Sequence, residues 1–365
     1  MKKILFGLGA LLVASSGFAA AFSPGNLVVA RVGDGSAGLG STATALFLDE
    51  YTTAGTLVQT IALPTTVSGA NKALTIQGSA TSEGFLQRSA NGQYLTLAGY
   101  NSAVGTAAPS LTLASVNNRV IGLVGLNGTV DTSTTINAGT LGSTRSATTV
   151  DGTGFWVSTA SAGVNYIPFG AVSGATQLSS SPTSTRVTRA VGGQIYVSSA
   201  SGTFQGVSTV GTGLPTTSGQ TTTLLPGFPT SAGPSAYDFF VSGNTAWVAD
   251  DRTAGTGGIQ HWTLSAGTWT LSYTLAPSAT TGVRGLSVDL TGSNPILFGT
   301  TTDNKVVEFV DLGIGSAPTF LFANPTANTA FRGIAAIPMI PEPTGLLGLG
   351  VVTLFLGRKL LRHKA

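Results

Sequence analysis

The stretch Tyr237-Asp238-Phe239-Phe240-Val241, Ala246-Trp247-Val248-Ala249, Ile259-Gln260-His261-Trp262-Thr263-Leu264 and Trp269-Thr270-Leu271-Ser272-Tyr273-Thr274-Leu275 decides the fold. Each run is short, apolar and rich in aromatic or β-branched residues, which is the pattern of a strand. Ser242-Gly243-Asn244 separates the first two runs and Ser265-Ala266-Gly267 the last two. Turns that short join antiparallel neighbours. The stretch therefore predicts one four-stranded antiparallel sheet in about 40 residues, the size of a propeller blade.

The same unit recurs along the chain. A turn followed by a bulky strand appears at Gly92-Gln93-Tyr94-Leu95-Thr96-Leu97, Gly154-Phe155-Trp156-Val157, Gly193-Gln194-Ile195-Tyr196-Val197 and Asn294-Pro295-Ile296-Leu297-Phe298. Stepping from Tyr94 through Trp156, Tyr196 and Trp247 to Phe298 gives intervals of 62, 40, 51 and 51 residues. The first interval is long because Thr106–Asn118 reads as an insertion. No long helical pattern interrupts the series between Phe22 and Pro338.

The ends of this region complement each other. Asn26–Arg31, Thr44–Asp49 and Leu57–Leu63 make three strands without an innermost one, and Phe331–Ile337 is a lone strand of the innermost type. Joined, they complete a blade, and a closed ring leaves no sheet edge exposed. The predicted fold class is all-β, a β-propeller closed by its N- and C-terminal strands. Its six blades are 25–66 with 331–338, then about 82–142, 143–182, 183–230, 234–278 and 280–325. Seven blades result if the long second unit holds two. A β-helix has a shorter period, and a sandwich does not explain the complementary partial units.

Composition narrows the chemistry. The chain has 365 residues, no cysteine and two histidines, which excludes disulfides, thiolate metal sites and a cysteine nucleophile. Residues 1–21 carry Lys2 and Lys3 ahead of the apolar Ile4–Ala14, with small residues at Ala19-Ala20-Ala21, the make-up of a secretory signal peptide cut after Ala19 or Ala21. Residues 339–365 hold Pro341-Glu342-Pro343, the 13-residue apolar run Thr344–Leu356, and the basic Arg358, Lys359, Arg362 and Lys364. As a helix that run is roughly 20 Å long; Gly357, Leu360 and Leu361 with snorkelling basic side chains bring it close to spanning, positive end in the cytoplasm. Without these two segments the 17 basic and 14 acidic residues fall to 11 and 13, a net charge of −2 for the 22–338 body. The basic balance belongs to the ends, so no nucleic-acid partner is expected.

The tail resembles the PEP-CTERM sorting signal of Gram-negative bacteria: a Pro-Glu-Pro triplet, a short hydrophobic helix and a basic end, in that order at the C-terminus. The resemblance covers Pro341 to Lys364. It implies recognition by an exosortase-type membrane transpeptidase, with processing near Pro341, Glu342 and Pro343 and with Arg358 and Lys359 in the basic end. It also implies export across the inner membrane, transient anchoring by a C-terminal transmembrane helix, and a place at the cell surface or in an exopolysaccharide or biofilm matrix.

The body offers few reactive groups. His261, its one histidine, sits in a predicted third strand and reads as a packed side chain. Asp250-Asp251 lacks the alternating ladder of a Ca²⁺ loop and reads as a solvated turn. Gly33-Asp34-Gly35 and Gly38-Leu39-Gly40 have no βαβ context and read as loops. Trp156, Tyr196, Trp247, Trp262 and Trp269 recur at equivalent positions, which predicts packing between blades more than sugar stacking. One constellation is different. Arg145, Arg186, Arg284 and Arg332 lie near the starts of four predicted innermost strands, with Glu83 and Tyr237-Asp238 at similar places in two others. Such starts ring a channel mouth, and arginines there match the carboxylates of an acidic saccharide. The body reads as a non-enzymatic interaction module without cofactor or metal. The alternative is a propeller polysaccharide hydrolase or lyase, or an acidic-sugar-binding module, working at that mouth.

Overall fold

The computed structural model describes residues 20–338. The expected signal peptide as far as residue 19, the Pro341-Glu342-Pro343 triplet and the basic C-terminal residues lie outside these residues. Six four-stranded antiparallel sheets form a β-propeller. Blade 1 runs from Ala330–Ala336 on the inside through Leu27–Val32 and Leu46–Tyr51 to Leu57–Ala62. Blade 2 is Gln87–Arg88, Tyr94–Tyr100, Arg119–Gly125 and Val130–Ile136; blade 3 is Thr144–Thr148, Gly154–Thr159, Val164–Pro168 and Thr176–Ser179. Blade 4 is Thr188–Val191, Gln194–Ser201, Phe204–Val210 and Thr222–Leu224; blade 5 is Ala236–Ser242, Thr245–Asp250, Gly258–Ser265 and Thr268–Leu275. Blade 6 is Val283–Asp289, Ile296–Thr301, Lys305–Val310 and Thr319–Ala323.

The ring closes as the complementary ends require. Leu27 pairs with Ala336, Val29 with Ile334 and Arg31 with Phe331. The second unit is one blade, not two. Its extra length is an excursion between its second and third strands that carries a short 3-10 helix, Pro109–Leu111. A two-stranded ribbon, Ala43–Thr44 with Ile76–Gln77, was not evident in the sequence.

Burial is most complete in the middle strands of the blades. Every residue of Gly154–Thr159 and Arg119–Gly125 is buried, because a middle strand is flanked within its sheet and covered on both faces by neighbouring blades. The outermost strands Leu57–Ala62 and Thr319–Ala323 are mostly exposed. Phe22 is buried and donates its amide to the Leu126 carbonyl.

The aromatic residues that mark the repeat each sit in a second strand. In four of these five strands a hydroxyl comes two residues later, on the same face, and bonds to the next blade. Thr96 Oγ1 donates to the Ala147 carbonyl at 2.7 Å, Ser158 to that of Arg186, Ser198 to that of Tyr237, and Thr300 Oγ1 to that of Arg332 at 2.5 Å. Each acceptor lies in, or just before, the innermost strand of the following blade. In blade 5 the equivalent position is Ala249. Small hydroxyls suit this place because a buried carbonyl must find a donor. This accounts for part of the Ser and Thr content of the inner strands.

Candidate functional site

The starts of the innermost strands do gather at one end of the axis, and the protein fills that end itself. The segment Gly78–Gln87, which leads into blade 2, touches blades 1, 3 and 5. The Gly333 amide donates to the Gly84 carbonyl at 3.0 Å, and the Phe85 amide to that of Arg145 at 3.4 Å. Phe85 packs on Tyr237 with ring centroids 5.7 Å apart, and Thr81 Oγ1 lies 3.3 Å from the Tyr237 hydroxyl. Gly333 is required here: a Cβ would stand 2.0 Å from the Leu86 nitrogen.

The predicted ring residues are consequently engaged with their own fold. Arg145 Nη1 donates to the Thr185 carbonyl at 3.0 Å and to Ser184 Oγ at 3.3 Å. Arg186 repeats the arrangement one blade on, donating to the Ala236 carbonyl at 2.8 Å and to Ser235 Oγ at 3.1 Å, with its guanidinium 4.0 Å from the Tyr237 ring centroid. Arg284 pairs with Asp251 at 3.2 Å. Arg332 Nη2 donates to the Gly78 carbonyl at 2.9 Å. Burial, with help from the Arg284 charge, lowers Arg332 to about 10. Glu83 is fully buried; its Oε1 accepts from the Tyr100 hydroxyl at 2.6 Å and its Oε2 from the Gln77 amide at 2.8 Å. Burial pushes the Glu83 carboxyl above its ordinary value, against the pull of those two donors.

Asp238 lies deeper than the ring. It joins four blades across the axis. Arg189 of blade 4 donates to Oδ1 from Nε at 3.0 Å, the Leu286 amide of blade 6 to Oδ2 at 3.1 Å, and Gln87 of blade 2 to Oδ2 at 3.4 Å. Arg189 Nη2 also donates to the Leu286 carbonyl at 2.7 Å. Burial pushes the Asp238 carboxyl up, opposed by the Arg189 charge and the amide donors. This buried cluster is a crossbar through the propeller axis.

A second polar cluster lies between blades 5 and 6. Asp311 Oδ2 accepts from Trp247 Nε1 at 2.7 Å and lies 2.9 Å from His261 Nδ1, while Oδ1 accepts from the Tyr273 hydroxyl at 2.7 Å. Burial opposes ionisation of Asp311, but the donors outweigh it and hold the carboxyl below its ordinary value. His261 is thus a strand residue with a partner 50 positions away that no local pattern disclosed. Trp156, Trp247, Trp262 and Trp269 are all buried, and Trp262 stacks on Phe228 at 4.1 Å, so these aromatics pack blades together. Asp250 is not the solvated residue expected. It is fully buried and bonded to the Arg252 guanidinium at 2.5 Å, because the turn folds Arg252 back over it. Among the described residues no three His, Asp or Glu side chains are close enough to hold a metal ion. No helix of the described residues is long and apolar enough to cross a membrane.

No family model matches the chain, and no curated protein matches it. Solved structures similar to it include the periplasmic gluconolactonase PpgL of Pseudomonas aeruginosa, 14% identical over 82% of this chain and 83% of that one, with a TM-score of 0.46. The WD40 β-propeller domain of Doa1 is 11% identical over 82% of this chain and 88% of its own, at 0.45. Apo AztD from Citrobacter koseri is 11% identical over 83% and 72%, at 0.37. Likenesses this distant carry no activity over to the chain.

Proposed function

We propose that this chain is an exported, non-catalytic interaction module of a saccharide-rich surface layer or matrix, sorted by an exosortase-type transpeptidase acting at Pro341-Glu342-Pro343. The sorting half rests on the order of triplet, apolar run and basic end in the tail. The module half rests on one observation. The charged side chains at the closed end of the axis are held by backbone carbonyls, hydroxyls and one another, as structural side chains are. A hydrolase working there would need two carboxylates facing a sugar. Glu83 and Asp238 instead each accept several hydrogen bonds from neighbouring strands and loops. Replacing Pro341, Glu342 and Pro343 by alanine tests the sorting half. The triple variant is expected to keep its tail and stay with the membrane fraction. A variant released with the same mature mass as the parent would refute it.

A further inference from the structure

The opposite end of the axis is built differently. A cavity of about 160 Å³ opens where the innermost strands finish, and every blade contributes to it. Arg88 comes from blade 2, Thr148 from blade 3, Arg189 from blade 4, Phe240 from blade 5, Ser287 from blade 6 and Ile334 from blade 1. The Asp238 crossbar engages the Arg189 guanidinium at its inner side.

Arg88 is held less than the arginines Arg145, Arg186 and Arg332 of the closed end, which each make two hydrogen bonds. It makes one, from Nη1 to the Ala336 carbonyl at 3.2 Å, and among the described residues no carboxylate lies within ion-pair distance of it. Burial lowers its pKa, and the nearby Arg189 charge lowers it further. Asp289 pulls the other way, but its Oδ1 is held in a turn by the Thr291 amide and hydroxyl. Arg189 has Asp238 as its counter-ion, so Arg88 is the cation left to be balanced. A carboxylate between the two guanidinium groups relieves their repulsion and can accept a forked pair of hydrogen bonds from Arg88.

The remaining walls favour an anion that also carries hydroxyls. Ser287 Oγ accepts from the Ala336 amide at 2.9 Å and Thr148 Oγ1 from the Ala190 amide at 3.4 Å. Neither hydroxyl donates to a described residue, so each retains a proton for a ligand oxygen. Phe240 and Ile334 supply an apolar face, which suits the C–H side of a sugar ring. A cavity near 150 Å³ holds a molecule about the size of benzene, so it takes the carboxylate end and one edge of a single sugar ring, with the rest of the ring at the open mouth.

We propose that this open axial cavity binds the carboxylate end of one sugar acid, a uronate or terminal uronate residue, with Arg88 as the principal anion contact. The assignment deepens the interaction-module reading and takes from it only the saccharide class. Calorimetry on the full chain tests it with D-galacturonate, D-galactose and sulfate as probes. Galacturonate is expected to bind at least tenfold more tightly than either of the others. Arg88→Gln is expected to weaken it at least tenfold. Ala90→Glu, at the exposed rim of the cavity, is expected to do the same by supplying a competing carboxylate, and it keeps the test open if Arg88→Gln fails to fold. Galacturonate binding no tighter than galactose or sulfate, or binding unchanged in Ala90→Glu and in a folded Arg88→Gln, would overturn the proposal. Such a failure would leave the sorting result at Pro341–Pro343 untouched, so the two readings fail separately.

Discussion

Asp238→Ala is the substitution for which the structure gives the most definite expectation. Asp238 is wholly buried, and Arg189 is only 8% exposed. Removing the carboxylate leaves the guanidinium with the Leu286 carbonyl as its remaining named acceptor and leaves the Leu286 amide without its Oδ2 acceptor. Breaking a buried pair by deleting one partner costs about 3–5 kcal/mol. The orphaned amide is one part of that cost, at about 1–3 kcal/mol. Arg189→Met, which leaves the carboxylate unpaired instead, should cost a similar amount. The double variant Asp238→Leu/Arg189→Met should cost much less than the sum, because it removes both desolvated charges together. Urea unfolding followed by the fluorescence of the four tryptophans measures all three. Single variants that each lose less than about 1 kcal/mol at unchanged m-value, or a double variant equal to their sum, would refute the crossbar argument.

A chain ending at Thr329 lacks the innermost strand of blade 1 and exposes the edge of Leu27–Val32. Phe331, Ile334 and Ile337 lose burial worth about 1.5–3 kcal/mol each, comparable with a whole domain's stability of 5–15 kcal/mol, so no cooperative transition is expected; an unchanged unfolding midpoint would contradict ring closure. Arg186→Ala removes two hydrogen bonds and the Tyr237 cation–π contact, and should cost about 1–3 kcal/mol while leaving galacturonate affinity unaltered; weaker sugar binding with intact stability would reverse the assignment of the two ends. The Asp311 carboxyl is depressed below its ordinary 3.8 in the folded chain. Its contribution is therefore present above that value and is lost as the pH falls through the lower folded value. Asp311→Asn should flatten the acid limb of stability against pH, and an identical limb would count against the Trp247–His261–Tyr273 cluster.

The blades were legible because their signal is local. Tyr94, Trp156, Tyr196, Trp247 and Phe298 all stand in second strands, where the apolar run and the turn before it lie within a few residues. Closure was legible because a lone strand such as Phe331–Ile337 needs a partner for its unpaired edge. The hydroxyl two residues after four of these aromatics was also present in the sequence, but its meaning depends on a carbonyl in the next blade. The axis was harder for the same reason. Gln87 meets Asp238 at a separation of 151 residues, and Arg189 meets Leu286 at 97, so nothing local indicated a plug or a crossbar. The strand pattern puts Arg145, Arg186, Arg284 and Arg332 at strand starts and carries no local indication of a role for Arg88 or Arg189. The available signal was a charged residue inside an innermost strand, as in Phe85-Leu86-Gln87-Arg88 and Val187-Thr188-Arg189. Which arginine has a counter-ion is set by side chains arriving from other blades.

The intact mass and compartment of the native product test the account most directly. The expected product lies outside the cytoplasm, has lost its first 19 or 21 residues and ends at or near Pro341–Pro343. A cytosolic product of 36.6 kDa, with all 365 residues present, would contradict it.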